Sequence, residues 1–151
     1  MMSNGQSGPK AVIDASHRAL AEFVKGNSEP AKALFSHQDD VCLGNPFGPF
    51  VRGRQAVEAT ADRAAAHYRD GEVIGFETVC SYSVGDLACY VEVERYRARI
   101  GGGSEFSLVA LRVTTVLRRE DEGWRIVHRH ADPITTDRSA ESIIQVKSME
   151  S

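Results

Sequence analysis

The sequence predicts an α+β domain in which three helices precede a long, strongly twisted antiparallel sheet. Two observations carry this. Up to Gly71 the apolar residues recur at helical spacing around clear helix stops, whereas from Glu72 onward four stretches rich in Val, Ile, Thr, Tyr and Phe are separated only by short turn segments. Short turns force neighbouring strands to run antiparallel, and helices segregated from strands pack together onto one face of a sheet.

The first helix is expected over Ala11 to Lys25, where Val12, Ile13, Ala15, Ala19, Leu20, Phe23 and Val24 form an apolar stripe and Gly26-Asn27 supplies the stop. Ser28 followed by Glu29-Pro30 reads as a cap with proline in the first turn, giving a short second helix from Pro30 to Phe35. Asp39 to Leu43 reads as a short strand entering the turn-rich Gly44-Asn45-Pro46-Phe47-Gly48-Pro49. Val57, Ala61, Ala64, Ala65 and Tyr68 carry a third helix that stops at Asp70-Gly71. The strands are Glu72 to Val84, Asp86 to Ile100, Ser104 to Arg119 and Trp124 to Ala131, joined at Gly85-Asp86, Gly101-Gly102-Gly103 and Glu120 to Gly123. The domain is thus expected over residues 11–133. The polar start, residues 1–10, is expected to be disordered, and residues 134–151 form a tail with a short helix at Asp137 to Val146.

Composition narrows the partners. With 42% hydrophobic and 26% charged residues, the 151-residue chain has the makeup of one compact domain, and its formal charge of -3 offers no field to attract nucleic acid or an anionic membrane. No apolar run approaches a membrane span, so a cytoplasmic location is expected. Cys42, Cys80 and Cys89 lack metal-type spacing and read as small core residues. Neither cofactor nor metal is expected.

The turn Asn45-Pro46-Phe47-Gly48, the Arg52-Gly53-Arg54 leading into the third helix, and the ending Gly123-Trp124-Arg125-Ile126-Val127-His128-Arg129-His130 resemble the SnoaL-like or ketosteroid-isomerase-like superfamily. Nuclear transport factor 2 shares this fold. The final strand is similar to the association domain of calmodulin-dependent protein kinase II. The resemblance spans about Ala11 to Pro133 and implies a cone: a strongly curved sheet wrapped around the three helices, a deep pocket between them, and a homodimer through the outer face of the sheet. Such a scaffold hosts many activities, so the likeness speaks for fold more than for function.

Period-two alternation divides the strand residues between two faces. Leu87, Cys89, Val91 and Val93, then Leu111, Val113 and Thr115, then Val127, Arg129 and Ala131 form a mostly apolar set suited to the interior. Tyr90, Glu92, Glu94 and Tyr96, then Arg112, Thr114 and Val116, then Ile126, His128 and His130 form a polar set suited to the outer face. The expected dimer contacts are accordingly Tyr90, Glu92, Glu94, Arg112, His128 and His130. The expected pocket residues are Asn45, Phe47, Tyr68, Cys89, Val91, Leu111, Val113, Thr115, Arg129 and Ala131, with Tyr68 reaching in from the third helix.

The resemblance also excludes one mechanism. Ketosteroid isomerases place a general-base Asp before the Pro-Phe-Gly turn, and a Tyr on the first helix joins a protonated Asp on a strand to form an oxyanion hole. Those positions here hold Asn45, Ala19 and Thr115, none of which ionises, so steroid isomerisation by that route is excluded. Among what remains, Arg129 needs a carboxylate neighbour or an anionic ligand unless its head reaches solvent. Asn45 reads as a turn residue or a ligand contact. Asp40 and Asp132 are the candidates for a relocated acid or base, against a plainer reading as solvated strand ends. His128 and His130 have the spacing of a ligand pair but no third ligand, which favours hydrogen bonding over metal. Two functions follow: a domain binding a small hydrophobic ligand, with an anionic group meeting Arg129, or an isomerase, cyclase or hydrolase acting on a small hydrophobic substrate through relocated acids. An assembly module is the third.

Overall fold

The computed structural model of the protein describes residues 8–146. The expected disorder of residues 1–7 and the end of the tail from residue 147 lie outside the described residues. The elements are α1 (Pro9–Phe23), α2 (Glu29–Lys32), β1 (Cys42–Gly44), β2 (Val51–Arg52), α3 (Arg54–Ala65), β3 (Tyr68–Val84), β4 (Leu87–Ile100), β5 (Phe106–Glu120) and β6 (Gly123–Asp132). The expected α+β class and order of elements are present, and the two-residue β2, which the sequence did not predict, is added antiparallel to β1. A 3-10 turn at Ala140–Ile143 stands where a tail helix was expected.

Most boundaries move by a few residues, and the shifts have local causes. Pro9 sits in the first turn of α1, where its missing N–H costs nothing, so the helix begins two residues before Ala11. The helix α3 ends at Ala65, and Tyr68 opens β3 instead of closing the helix. Arg54, the first residue of α3, donates to the carbonyls of Lys32, Phe35 and Ser36 and so occupies the acceptors left open at the end of α2.

One six-stranded sheet runs β2-β1-β6-β5-β4-β3. The long strands β3 to β6 form an antiparallel meander, while β1 pairs in parallel with β6, with Cys42 opposite His128 and Leu43 opposite Arg129. The sheet is not closed, and α1 packs against β3 and β6. Ile13, Phe35, Val41, Leu43, Val57, Leu117 and Ile126 make one core cluster, and Leu20, Val24, Tyr68, Tyr96, Ala98, Leu111, Val113 and Ala131 another.

Strand β4 reverses the expected faces. Glu92, Glu94, Tyr96 and Ala98 are buried on the helix side, and Tyr90 packs against the first core cluster. Cys89 and Val91 alternate with them, opposite Val116 and Thr114 on the outer side. Tyr90, Glu92 and Glu94 therefore do not belong to the outer face. The physical reason lies further along the strand. Cys89, Val91 and Val93 continue in period two through Arg95, Arg97 and Arg99, and turning that set inward would bury three guanidinium groups. The register slip between Val116 and Leu117 corrects β6 in the same way: it breaks the alternation at Val127, so Ile126, Arg129 and Ala131 all face the helices while His128 and His130 face out.

Candidate active site

Between the helices and the inner face of the sheet lies a cavity of about 870 Å³, open space at its mouth included. From α1 it is lined by Ser16, Ala19, Leu20 and Phe23, and from the loop after β1 by Asn45, Pro46 and Phe47. The sheet contributes Tyr68, Glu92, Glu94, Tyr96, Leu111, Val113, Thr115, Ile126, Arg129 and Ala131. Ala19, Asn45 and Thr115, the positions matching the isomerase groups, thus stand on its wall without those groups. Cys89 and Val91 do not.

The polar chemistry concentrates on β4. Glu94 receives Nη2 of Arg129 on both oxygens, at 2.9 and 2.8 Å. Burial alone would make the guanidinium easier to deprotonate, but the charge and hydrogen bonds of Glu94 outweigh it and hold the Arg129 pKa above its ordinary value. The Arg129 side chain keeps 24% of its surface accessible and lines the cavity. Its charge is matched within the protein, so an anionic ligand is not needed to make its position tolerable.

Two residues along β4, Glu92 is 4% exposed and lies within 2.8 Å of Nε2 of His17 on α1. The imidazole stacks on Phe76 of β3, with centroids 3.6 Å apart and planes 10° from parallel. An aromatic ring on one side and a carboxylate on the other fix the imidazole, which supports Glu92 from behind the cavity wall. Further along, the hydroxyls of Tyr68 and Tyr96 lie 2.6 Å apart, and burial raises the pKa of both. One hydroxyl donates to the other, so one O–H of the pair remains free to donate to a further acceptor, and both tyrosines line the cavity.

The mouth is partly covered by the turn after β1. Asn45 accepts the N–H of Phe47 at 2.9 Å, which bends the turn so that the Phe47 ring meets His67 at 4.5 Å and Tyr68 at 6.0 Å between centroids. Asn45 is therefore a turn-former that also presents itself to the cavity.

The two candidate acids lie elsewhere. Asp40 accepts two hydrogen bonds from Arg118, which lower its pKa. Asp132 pairs with Arg112 across β5 and β6; burial opposes ionisation, but that pairing and the Ile134 N–H hold its pKa below the usual carboxylate value. Neither lines the cavity. His17, Glu92, Glu94 and Tyr96 were missed as site residues. For Glu92, Glu94 and Tyr96 the available signal is the run of arginines at the end of β4, which fixes which side of that strand faces inward; no such signal marks His17 on α1. Among the described residues, no group of three or more His, Cys, Asp or Glu side chains is placed to hold a metal ion, and no helix is long and apolar enough to cross a membrane.

Comparison with known proteins agrees with this architecture. No curated protein matches the chain. Among solved structures, a chain provisionally assigned as a calcium/calmodulin-dependent protein kinase type II association domain from Thiobacillus denitrificans is 24% identical, covering 84% of this chain and 95% of that one with a TM-score of 0.68. A provisionally assigned dehydratase of the nuclear transport factor 2-like family from Streptomyces avermitilis is 19% identical, with 85% and 99% covered and a TM-score of 0.66. A nuclear transport factor 2-like superfamily protein from Salmonella enterica is 17% identical, with 87% and 94% covered and a TM-score of 0.72. At such identities the likeness establishes the shared fold and nothing about activity. The model of the SnoaL-like domain matches residues 10–135, which span the helices, all six strands and every cavity residue, and the chain belongs to that family.

Proposed function

We propose that the protein is an acid–base enzyme that moves a proton on a small, largely apolar and uncharged substrate held in the cone, with Glu92 as the base. The observation that carries this reading is the His17–Glu92 pair, 2.8 Å apart, with the carboxylate on the wall of an otherwise mainly apolar cavity. Glu92 accepts the proton, His17 holds the carboxylate in place, and the spare O–H of the Tyr68–Tyr96 pair hydrogen-bonds a substrate oxygen. With Arg129 matched by Glu94, the polar complement of the cavity favours an uncharged oxygen-bearing molecule over an anion. The name of the Streptomyces neighbour, a dehydratase, lies in the same class of proton-transfer chemistry.

Deuterium incorporation next to the carbonyl of small cyclic ketones, followed by NMR in heavy water, tests the assignment. Catalysed exchange should fall by about 100-fold or more in Glu92→Gln, in line with the loss of a general base. Equal exchange in the variant and the unaltered protein would overturn it. Ketones that bind without exchanging would favour the second reading, a passive binding domain, which the apolar majority of the lining supports.

The same reading takes the protein to act as a homodimer through the outer face of the sheet. Support comes from apolar side chains left uncovered on β3 to β5, with Tyr82 at 64%, Leu87 at 47% and Leu108 at 79% exposure. Arg112, His128 and His130 lie on the same side of the sheet but toward β6, beside that apolar stretch and not within it.

A further inference from the structure

We propose that Cys42 and His128 form a base-assisted thiol site, separate from the cone, that takes up small apolar α,β-unsaturated carbonyl compounds as covalent adducts. The two residues are 86 positions apart in sequence and are brought face to face by the parallel pairing of β1 with β6. Sγ of Cys42 lies 3.0 Å from Nδ1 of His128, within reach for the thiol to donate to the ring. This is the relation of nucleophile to base that thiol chemistry requires.

The surroundings suit the assignment. The Phe50 ring is 61% exposed and lies 6.0 Å from the His128 ring and 5.3 Å from that of His130. Phe50 rests against the backbone of Gly44, where an added Cβ would come within 2.5 Å of the ring, so the glycine makes room for this apolar shelf beside the thiol. Of the charged and titratable groups around His128, His130 shares its strand, Cys42 lies on β1, Arg52 lies opposite Cys42 on β2, and β5 places Val116 opposite the ring with Arg118, paired to Asp40, two residues beyond on the same side. Burial, and then His130, lower the His128 pKa, so the ring is neutral near pH 7 and has a free acceptor nitrogen for the thiol proton.

The step balances without an oxidant. Sγ attacks the β-carbon of the unsaturated carbonyl and a C–S bond forms. The C=C π pair shifts to give the enolate, and the thiol proton passes to Nδ1. The imidazolium then returns that proton to the α-carbon, leaving a thioether and a neutral ring.

The protein carries its own controls, because Cys80 and Cys89 are also partly exposed and lack such a histidine contact among the described residues. With limiting N-ethylmaleimide as the probe, tandem mass spectrometry gives a labelling rate at each cysteine. Cys42 should react about tenfold or more faster than the other two, the lower range of general-base assistance. In His128→Asn the Cys42 rate should drop by a similar factor and lose its dependence on pH near the imidazole range, while Cys80 and Cys89 label as before. Cys89 lies on the outer side of β4, toward the proposed contact with a second copy, so the fall at Cys42 in His128→Asn decides together with the ratio. Equal or slower labelling of Cys42 in the unaltered protein, or an unchanged Cys42 rate in His128→Asn, overturns the proposal.

Discussion

At the scale of single residues, the pair Glu94–Arg129 shows how charge is accommodated inside the cone. A guanidinium on the inner face of a sheet is tolerable only when its charge is met, and Glu94, 5% exposed, meets it with both oxygens. Removing one partner leaves the other charged and poorly solvated. Glu94→Ala should therefore destabilise the fold by roughly 3 kcal/mol, read from urea denaturation midpoints, whereas exchanging both partners for apolar residues, Glu94→Leu with Arg129→Met, should recover most of the loss. A loss in the single variant that the double variant fails to reduce would show that the residues act through packing. That Arg129 requires a carboxylate neighbour, an anionic ligand or a path to solvent is legible in the sequence from the cost of burying an unpaired charge. Which of these holds is not, because alternation over Leu87 to Val93 places Glu94 on the other side of its strand.

At the scale of elements, that assignment turns on how far an alternation is followed. Over Leu87 to Val93 the odd-numbered residues of β4 look like a core face, but the same parity ends in Arg95, Arg97 and Arg99, while the even residues end in Tyr96, Ala98 and Ile100. Three arginines settle the face more firmly than Leu87, Cys89, Val91 and Val93 do, because their exclusion from the core is the larger energy. On β6 the bulge at Val127 changes parity within the strand, and nothing in the local pattern of one strand announces a bulge. Asp70-Gly71 has the composition of a helix stop, yet these residues lie inside β3. Gly71 is there for space: its N–H donates to the carbonyl of Val24 at the end of α1, and a Cβ at Gly71 would come within 2.5 Å of that carbonyl oxygen. Gly71→Ala should thus cost about 1–3 kcal/mol, as overpacking of a close backbone approach does. A denaturation midpoint equal to that of the unaltered protein would show that β3 and α1 can separate without penalty.

At the scale of the whole molecule, the order of helices and strands was legible because each long strand announces itself by composition and each turn by glycine. The parallel pairing of β1 with β6 was not, since it joins segments far apart in sequence and rests on three residue pairs. That pairing completes the sheet, brings Cys42 to His128, and leaves a division of the outer surface. Toward β1 and β6 the surface carries the thiol and histidines; toward β3, β4 and β5 it carries uncovered apolar side chains. The proposed contact with a second copy belongs to the latter half, and it can be probed without disturbing the cone, because these side chains point away from it. Val91 lies near the middle of that surface, opposite Thr114, and Leu108 lies further along β5, opposite Arg97. Introducing Val91→Glu with Leu108→Glu places two carboxylates on a face that must lose its water on association, which costs far more in an interface than on a free surface. Sedimentation velocity should show the species shift from dimer to monomer while the far-ultraviolet circular dichroism stays unchanged. An unaltered sedimentation coefficient would mean that the outer face of β4 and β5 is not where the copies meet.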